Sequence, residues 1–183
     1  MAEAALKTVK PNGHNPLFGD SDDTDMRDIM SRCALVFGRS DFKYYGFDSL
    51  DFNTVWQTGN KSIEKYNNID KIPPSFNNAF LADSGNYILR ENQTNTSNYL
   101  LFHNGYTGAG HAHADKLHFD LMIKGRDVLI DAGRYTYLNN AQRRYIKSPK
   151  AHNVCLIDNK QYLNVSSQWE TKKSCYGCAV SLL

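Results

Sequence analysis

The sequence predicts a mainly β fold, an antiparallel β-sandwich over residues 76–183, preceded over residues 1–75 by a polar stretch with one or two short α-helices. Three observations carry this. Short apolar runs separated by turn-forming residues recur after position 76, the pattern of a sandwich. Leu117 to Ile123 alternates strictly, with Leu117, Phe119, Leu121 and Ile123 on one face and His118, Asp120, Met122 and Lys124 on the other. Pro73-Pro74 removes two backbone donors and holds the chain extended, which marks the change of texture between the two regions.

In chain order, residues 1–25 are rich in Gly, Pro and Asp and read as loop. Gly19-Asp20-Ser21-Asp22-Asp23-Thr24-Asp25 has the acidity of a calcium loop, but Thr24 and Asp25 stand where an oxygen ligand and a Gly are wanted. It reads better as a helix start, capped by Thr24 or Asp25. Met26, Ile29, Met30, Cys33 and Phe37 follow at helical spacing, and Gly38 ends the run. A weaker helix is expected over Asp48–Gln57, then a linker over 58–75. Beyond it, residues 78–90 and 99–103 read as strands around turns at Ser84-Gly85-Asn86 and Asn92 to Asn98. Lys124-Gly125-Arg126-Asp127 reads as a hairpin turn. Val128-Leu129-Ile130 is expected as a buried strand, and Asn153 to Ile157 as another with its turn at Asp158-Asn159.

Bulk properties narrow the function. The 183 residues suffice for one domain, or one domain and a tail, and 41% hydrophobic content supports a core. A net charge of +2 gives no field for nucleic acid or an anionic membrane, so neither is expected as a partner. No apolar run reaches the roughly 18 residues of a membrane span, and Met1 to Asn15 lacks the apolar centre of a signal peptide. Of the four cysteines, Cys175 and Cys178 have metal-ligand spacing, but no second such pair completes a zinc site, so free thiols are expected.

The chemistry concentrates in residues 110–153, which hold four of the six histidines. His111 and His113 are two apart, so on extended backbone both imidazoles share a face. Asp131 and His152 lie at the ends of neighbouring strand-like runs. Two His and one carboxylate make the usual protein-ligand set of an open zinc site. One tension remains: a tight turn at Gly125-Arg126 sets Asp131 opposite about residue 120. His113 reaches it only if residues 110–115 curl back, which Gly108-Ala109-Gly110 permits. An H-x-H pair on a β scaffold also opens the cupin motif, but Asp115 and His118 stand where that motif wants Glu.

Four blocks in order, Gly110-His111-Ala112-His113-Ala114-Asp115, then 125–135, then Arg144-Tyr145, then Ala151-His152-Asn153-Val154, resemble the heparinase II/III-like family of polysaccharide lyases; Gly19 to Asp23 also looks like a loop of that family. The resemblance covers roughly residues 17–165. It implies an α/α toroid joined to an antiparallel supersandwich, with the active site between them. The activity implied is β-elimination on uronic-acid glycans such as heparan sulfate, heparin or alginate. By position it implies His111 as a catalytic histidine, and His113, Asp131 and His152 as metal ligands, usually for a zinc that organises the site. Tyr145 falls where an active-site tyrosine is expected, with Tyr135 and Tyr137 as rivals. Arg134, Arg143 and Arg144 suit sulfate or uronate groups if they face the cleft, and otherwise decorate a solvated turn. A periplasmic or extracellular location is implied as well.

The family's toroid supplies an Asn, a His and a Tyr, and residues 1–75 offer neither that constellation nor the length for a toroid. The expectation is therefore a piece of a longer protein: the last toroid helices and the first strands of the sandwich, its partners being the missing toroid and an acidic polysaccharide. The alternatives are a non-catalytic, metal-containing sandwich that binds glycan, or a cupin-like metal enzyme.

Overall fold

A computed structural model describes residues 1–105, 110–162, 164–165 and 171–172. Helices lead: α1 (Ala2–Thr8), α2 (Arg27–Phe37), α3 (Ser40–Tyr45), α4 (Phe52–Thr58) and α5 (Lys61–Asn67). A meander follows, β1 (Ala79–Leu81), β2 (Asn86–Arg90), β3 (Tyr99–His103), β4 (His118–Ile123) and β5 (Arg126–Leu129), forming one antiparallel sheet in sequence order. A sixth helix, α6 (Ala141–Ile146), comes next, and β6 (Asn164–Val165) pairs with β7 (Thr171–Lys172) in a small ribbon. The fold is mainly β with helices. Among the described residues no helix is long and apolar enough to cross a membrane.

The helical layer departs from expectation in detail. Residues 2–8 form a helix where loop was expected, because Leu6 and the following Val9 bury in a core with Met30, Ala34, Leu35, Phe42, Tyr45 and Tyr66. Helix α2 starts after Met26, one step past the expected caps, while Asp25 accepts from the Arg27 backbone and side chain. Its buried stripe is Met30, Ser31, Ala34 and Leu35; Ile29 and Phe37 are exposed. Gly38 does end the helix, in left-handed backbone. Helix α4 is shorter than expected, capped by Asp51. Helix α5 lies inside the expected linker. Its residues are mostly polar, so tertiary contact holds it: buried Tyr66 donates its hydroxyl to Phe47 O at 2.6 Å.

The sheet turns its chemistry inward. On β2, β3 and β4 the covered face carries Ile88, Arg90, Tyr99, Leu101, His103, His118, Asp120 and Met122. The alternation in β4 is as expected, but the polar side is the buried one, and Ile123 on the apolar side is exposed. Inward polar groups are tolerable because each is partnered: His118 Nε2 meets Asp120 Oδ1 at 3.0 Å, and Asn153 N–H donates to His118 Nδ1 at 3.1 Å. Buried Arg90 ties the sheet to the helices, donating to Val9 O at 2.8 Å and to the Tyr45 hydroxyl.

The β4–β5 hairpin closes on Lys124 and Gly125, both at positive φ, as a two-residue loop of this kind demands. Arg126 and Asp127, expected in the turn, belong to β5. Strand β5 is exposed rather than buried, Val128 included. The strand expected at Asn153–Ile157 is absent. The Asn153 amide instead donates to Phe119 O and Ile130 O, each at 3.1 Å, so one side chain replaces a ladder. Cys33 and Cys155 are free thiols; Cys175 and Cys178 lie outside the described residues.

Between β1 and β2, Gly85 adopts φ +67° and accepts from Asn104 N–H at 2.8 Å. A Cβ there would lie inside van der Waals contact of the Gly105 backbone. Gly85→Ala is expected to destabilise by about 1–3 kcal/mol through left-handed strain and backbone overlap together, read as a lower urea midpoint.

Candidate active site and metal centre

Three segments converge at one end of the sheet: the Phe18–Asp22 loop, the His111–Asp115 segment that leads into β4, and residues 131–152 with α6 at their centre. Residues 110–117 return before β4 begins so that the His113 ring centre lies 5.3 Å from that of His152, which removes the spacing conflict for His113. The return is pinned at several points. Ala114 N–H donates to Lys147 O at 3.0 Å, Lys147 Nζ donates to Gly110 O at 2.7 Å, and Leu117 takes a left-handed φ of +64°. Residues 108 and 109 of the expected glycine curl lie outside the described residues.

His113, Asp131 and His152 are all buried, and one ligand atom from each lies within 4.8 Å of the others. His152 Nδ1 is 2.7 Å from Asp131 Oδ2, and Gly133 N–H donates to Asp131 Oδ1 at 2.8 Å. His113 Nδ1 and His152 Nε2 are buried without a hydrogen-bond partner. Two such ring nitrogens beside a carboxylate are costly unless something accepts their lone pairs. The set therefore fits a divalent metal on chemistry as well as spacing. Burial pulls the pKa of His113 below its ordinary value despite the neighbouring carboxylates, keeping the ring neutral as a ligand must be.

His111 stands at the lip. Its side chain is 70% exposed, and its Nδ1 is 2.9 Å from Asp20 Oδ2 and 3.5 Å from the Tyr137 hydroxyl. A cavity of about 490 Å³ opens beside it, walled by Phe18, Asp20, His103 and Asp115. Burial lowers the pKa of His103, whose ring stacks on Phe18 at 5.4 Å. Tyr137 meets the His111 ring edge-on at 5.9 Å, and the guanidiniums of Arg134 and Arg143 lie 4.7 and 5.4 Å from its ring centre.

The remaining expected residues disperse. Tyr145 lies on α6 and, with Tyr135, walls a separate apolar cavity of about 450 Å³. Tyr135 is held at φ +56°, a strained conformation for a residue with a side chain. Arg143, expected to face substrate, is wholly buried: its guanidinium grips Asp20 at 2.5 and 2.8 Å. Asp20 needs that countercharge, since its own side chain is only 3% exposed. Arg134 pairs with Asp22 at 2.7 Å, and exposed Arg144 donates to Asn139 at 3.0 Å. Sequence reading missed Asp20, His118, His103 and Asp115 as members of the site. It also missed α6, whose N-cap Asn140 accepts from Arg143 N–H at 2.8 Å. The acidic loop was visible as composition, but nothing in its spacing ties Asp20 to histidines ninety residues away.

Lys147, the pin described above, is buried at the end of α6. Burial, then the nearby Arg143 charge, push its ammonium down to about 8. The folded value lies below the unfolded one. Above about pH 8 the native chain therefore loses this proton first, and the unfolded chain binds more protons. Stability is thus expected to rise between pH 8 and about 9.5, below the tyrosine range. Denaturant titrations of wild type and Lys147→Met should show that slope in the first and its loss in the second.

A protein-family model described as "Heparinase II/III-like, C-terminal" matches residues 73–175, more than half of the chain. The heparin-sulfate lyase of Pedobacter heparinus is 24% identical over 182 residues, covering 93% of this chain and 25% of the relative. Among solved structures, heparan sulfate lyase HepC from Pedobacter heparinus superposes with a TM-score of 0.68 at 24% identity, over 86% of this chain and 23% of that one. Heparinase III gives 0.65 at 19% identity, over 83% and 24%. The chain thus spans about a quarter of the length of these relatives.

Proposed function

Because the chain belongs to the heparinase II/III-like family, we propose that it forms the sandwich side of the active site of a polysaccharide lyase that cleaves uronic-acid glycans of the heparan sulfate or heparin kind by β-elimination. The supporting observation is that exposed His111 stands at an open cavity, two residues before His113 of the buried His113–Asp131–His152 set. A helical toroid outside these residues supplies the groups that neutralise the uronate carboxylate. The site of action is periplasmic or extracellular, where such glycans occur.

In the reaction the C5 proton leaves to a base, the C4–O bond breaks, a C4=C5 double bond forms, and the departing O4 takes a proton. His111 is the base: an imidazole nitrogen can accept the C5 proton, and its exposure lets a bound uronate reach it. Tyr137, whose hydroxyl lies on the His111 ring edge, gives its own proton to O4; His111 then releases the C5 proton to solvent and the phenolate regains one from it. Arg134, which lies over Tyr137, and exposed Arg144 meet sulfate or carboxylate groups. Tyr135 and Tyr145 offer ring faces to a neighbouring sugar. Zinc held by His113, Asp131 and His152 would fix these side chains and would supply positive charge to the site.

The test uses the full-length protein with heparan sulfate, heparin and alginate, following ultraviolet absorbance of the unsaturated product. Absorbance gain with a uronic-acid polymer is expected; glycan binding with none would favour the non-catalytic sandwich. Elemental analysis is expected to find one zinc per chain, lost in His152→Ala. Chelation is expected to lower Tm by roughly 5–10 °C, the effect of removing a ligand bound well above its Kd. A metal-free wild type with an unchanged Tm would overturn the zinc assignment.

A further inference from the structure

Asp20 receives more of the site than any other side chain in it. One carboxylate oxygen is 2.9 Å from His111 Nδ1, and the other is 2.8 Å from His113 Nε2. Arg143 grips both oxygens from behind. The loop is seated on the same segment, since Asp20 N–H donates to His111 O at 3.0 Å and Gly19 turns there at φ +61°. The Arg143 guanidinium on both oxygens favours the ionised carboxylate.

An ionised carboxylate only accepts, so each imidazole must present an N–H to it. The two rings offer different nitrogens. We infer that Asp20 is a positioning residue that imposes opposite tautomers on the two histidines: Nδ1–H on His111, leaving Nε2 basic toward substrate, and Nε2–H on His113, leaving Nδ1 to a metal. The inference about His113 rests on the metal reading above; that about His111 rests on the lyase reading. The bond that holds a ring's far nitrogen is what fixes a histidine's role at such a site. Arg143 Nη1 also approaches His113 Nε2, at 3.5 Å, and would favour the other tautomer. The carboxylate is nearer and charged, and its contact is the one that decides.

Because Nδ1 of His113 is buried and unpartnered, the assignment is visible without any metal. The experiment is ring-nitrogen NMR of the metal-free chain at mildly alkaline pH, where unperturbed imidazoles are neutral. Cobalt(II) titration, read by its visible bands, accompanies it. The variants are Asp20→Asn, which keeps the shape but offers one acceptor oxygen, and Asp20→Asn/Arg143→Met, which removes the buried charges together so that folding does not hinge on an unpaired guanidinium. The wild type is expected to show His111 as Nδ1–H and His113 as Nε2–H. The variants are expected to show mixed tautomers and cobalt affinity weakened about 10- to 100-fold, the usual effect of losing an outer partner. Both rings in one tautomer in the wild type would overturn the inference. So would variants whose tautomers and cobalt affinity match the wild type's. Opposite tautomers with no cobalt uptake by the wild type would sustain the role of Asp20 and sink the metal assignment instead.

Discussion

His111→Ala, in the full-length protein, is expected to lower turnover of a uronic-acid polymer about 10²- to 10⁴-fold, the usual contribution of a positioned proton-transfer group. The side chain is exposed and outside the ligand set, so zinc content and Tm should stay near wild type. That combination separates chemistry from folding. Two phenylalanine variants place the tyrosine. Tyr137→Phe should reduce kcat, because its hydroxyl lies against the His111 ring; Tyr145→Phe should act on KM, because it walls a separate cavity. A kcat collapse in Tyr145→Phe with Tyr137→Phe unaffected would mean that the positional match outweighs the geometry. Unchanged turnover in His111→Ala would end the proposed role of this histidine.

Arg143→Ala should be the most destabilising single change at this end of the sheet, by about 3–5 kcal/mol, because it strands the Asp20 carboxylate in a buried site. Chemical denaturation would report it, and the corresponding fall in Tm is roughly 6–20 °C for a domain of this size. Arg144→Ala, one residue on, removes only an exposed contact to Asn139 and should stay within about 0.5 kcal/mol. The pH signature has a definite sign. The folded Asp20 value lies below the unfolded one, so its contribution is present above the ordinary carboxylate range and is lost as pH falls through the folded value. Acid unfolding of the wild type should therefore begin at lower pH than in the variant. Equal midpoints for Arg143→Ala and Arg144→Ala would show that the buried pair adds nothing net.

What the sequence disclosed tracks how local each signal was. The strand at Tyr99–His103, the turn at Gly85 and the stop at Gly38 rest on neighbouring residues alone, and all were readable. The juxtaposition of His113, Asp131 and His152 was legible through spacing together with family resemblance, although the path that brings them together was not. Helix α5 and Asp20 were hidden for one reason: polar residues acquire their structure from partners far along the chain, Tyr66 from Phe47, Asp20 from Arg143. The inward face of β4 misleads any rule that sends apolar side chains to the interior. Hydrogen-bonded His118 and Asp120 lie inside, while Ile123 meets solvent.

The two glycines at 85 and 105 carry a consequence for how this chain tolerates variation. The Gly105 backbone fills the space that the missing Cβ of Gly85 leaves open, and a Cβ on Gly105 would press on Ser84 O and on the His103 ring. Lys116 Nζ in turn donates to Gly105 O at 2.5 Å, so a shift of that backbone carries to Lys116 as well as to His103 in the cavity wall. In a saturation library selected only for soluble expression, both positions should return glycine alone. Survivors with a side chain at either would be the place to look for a displaced His103.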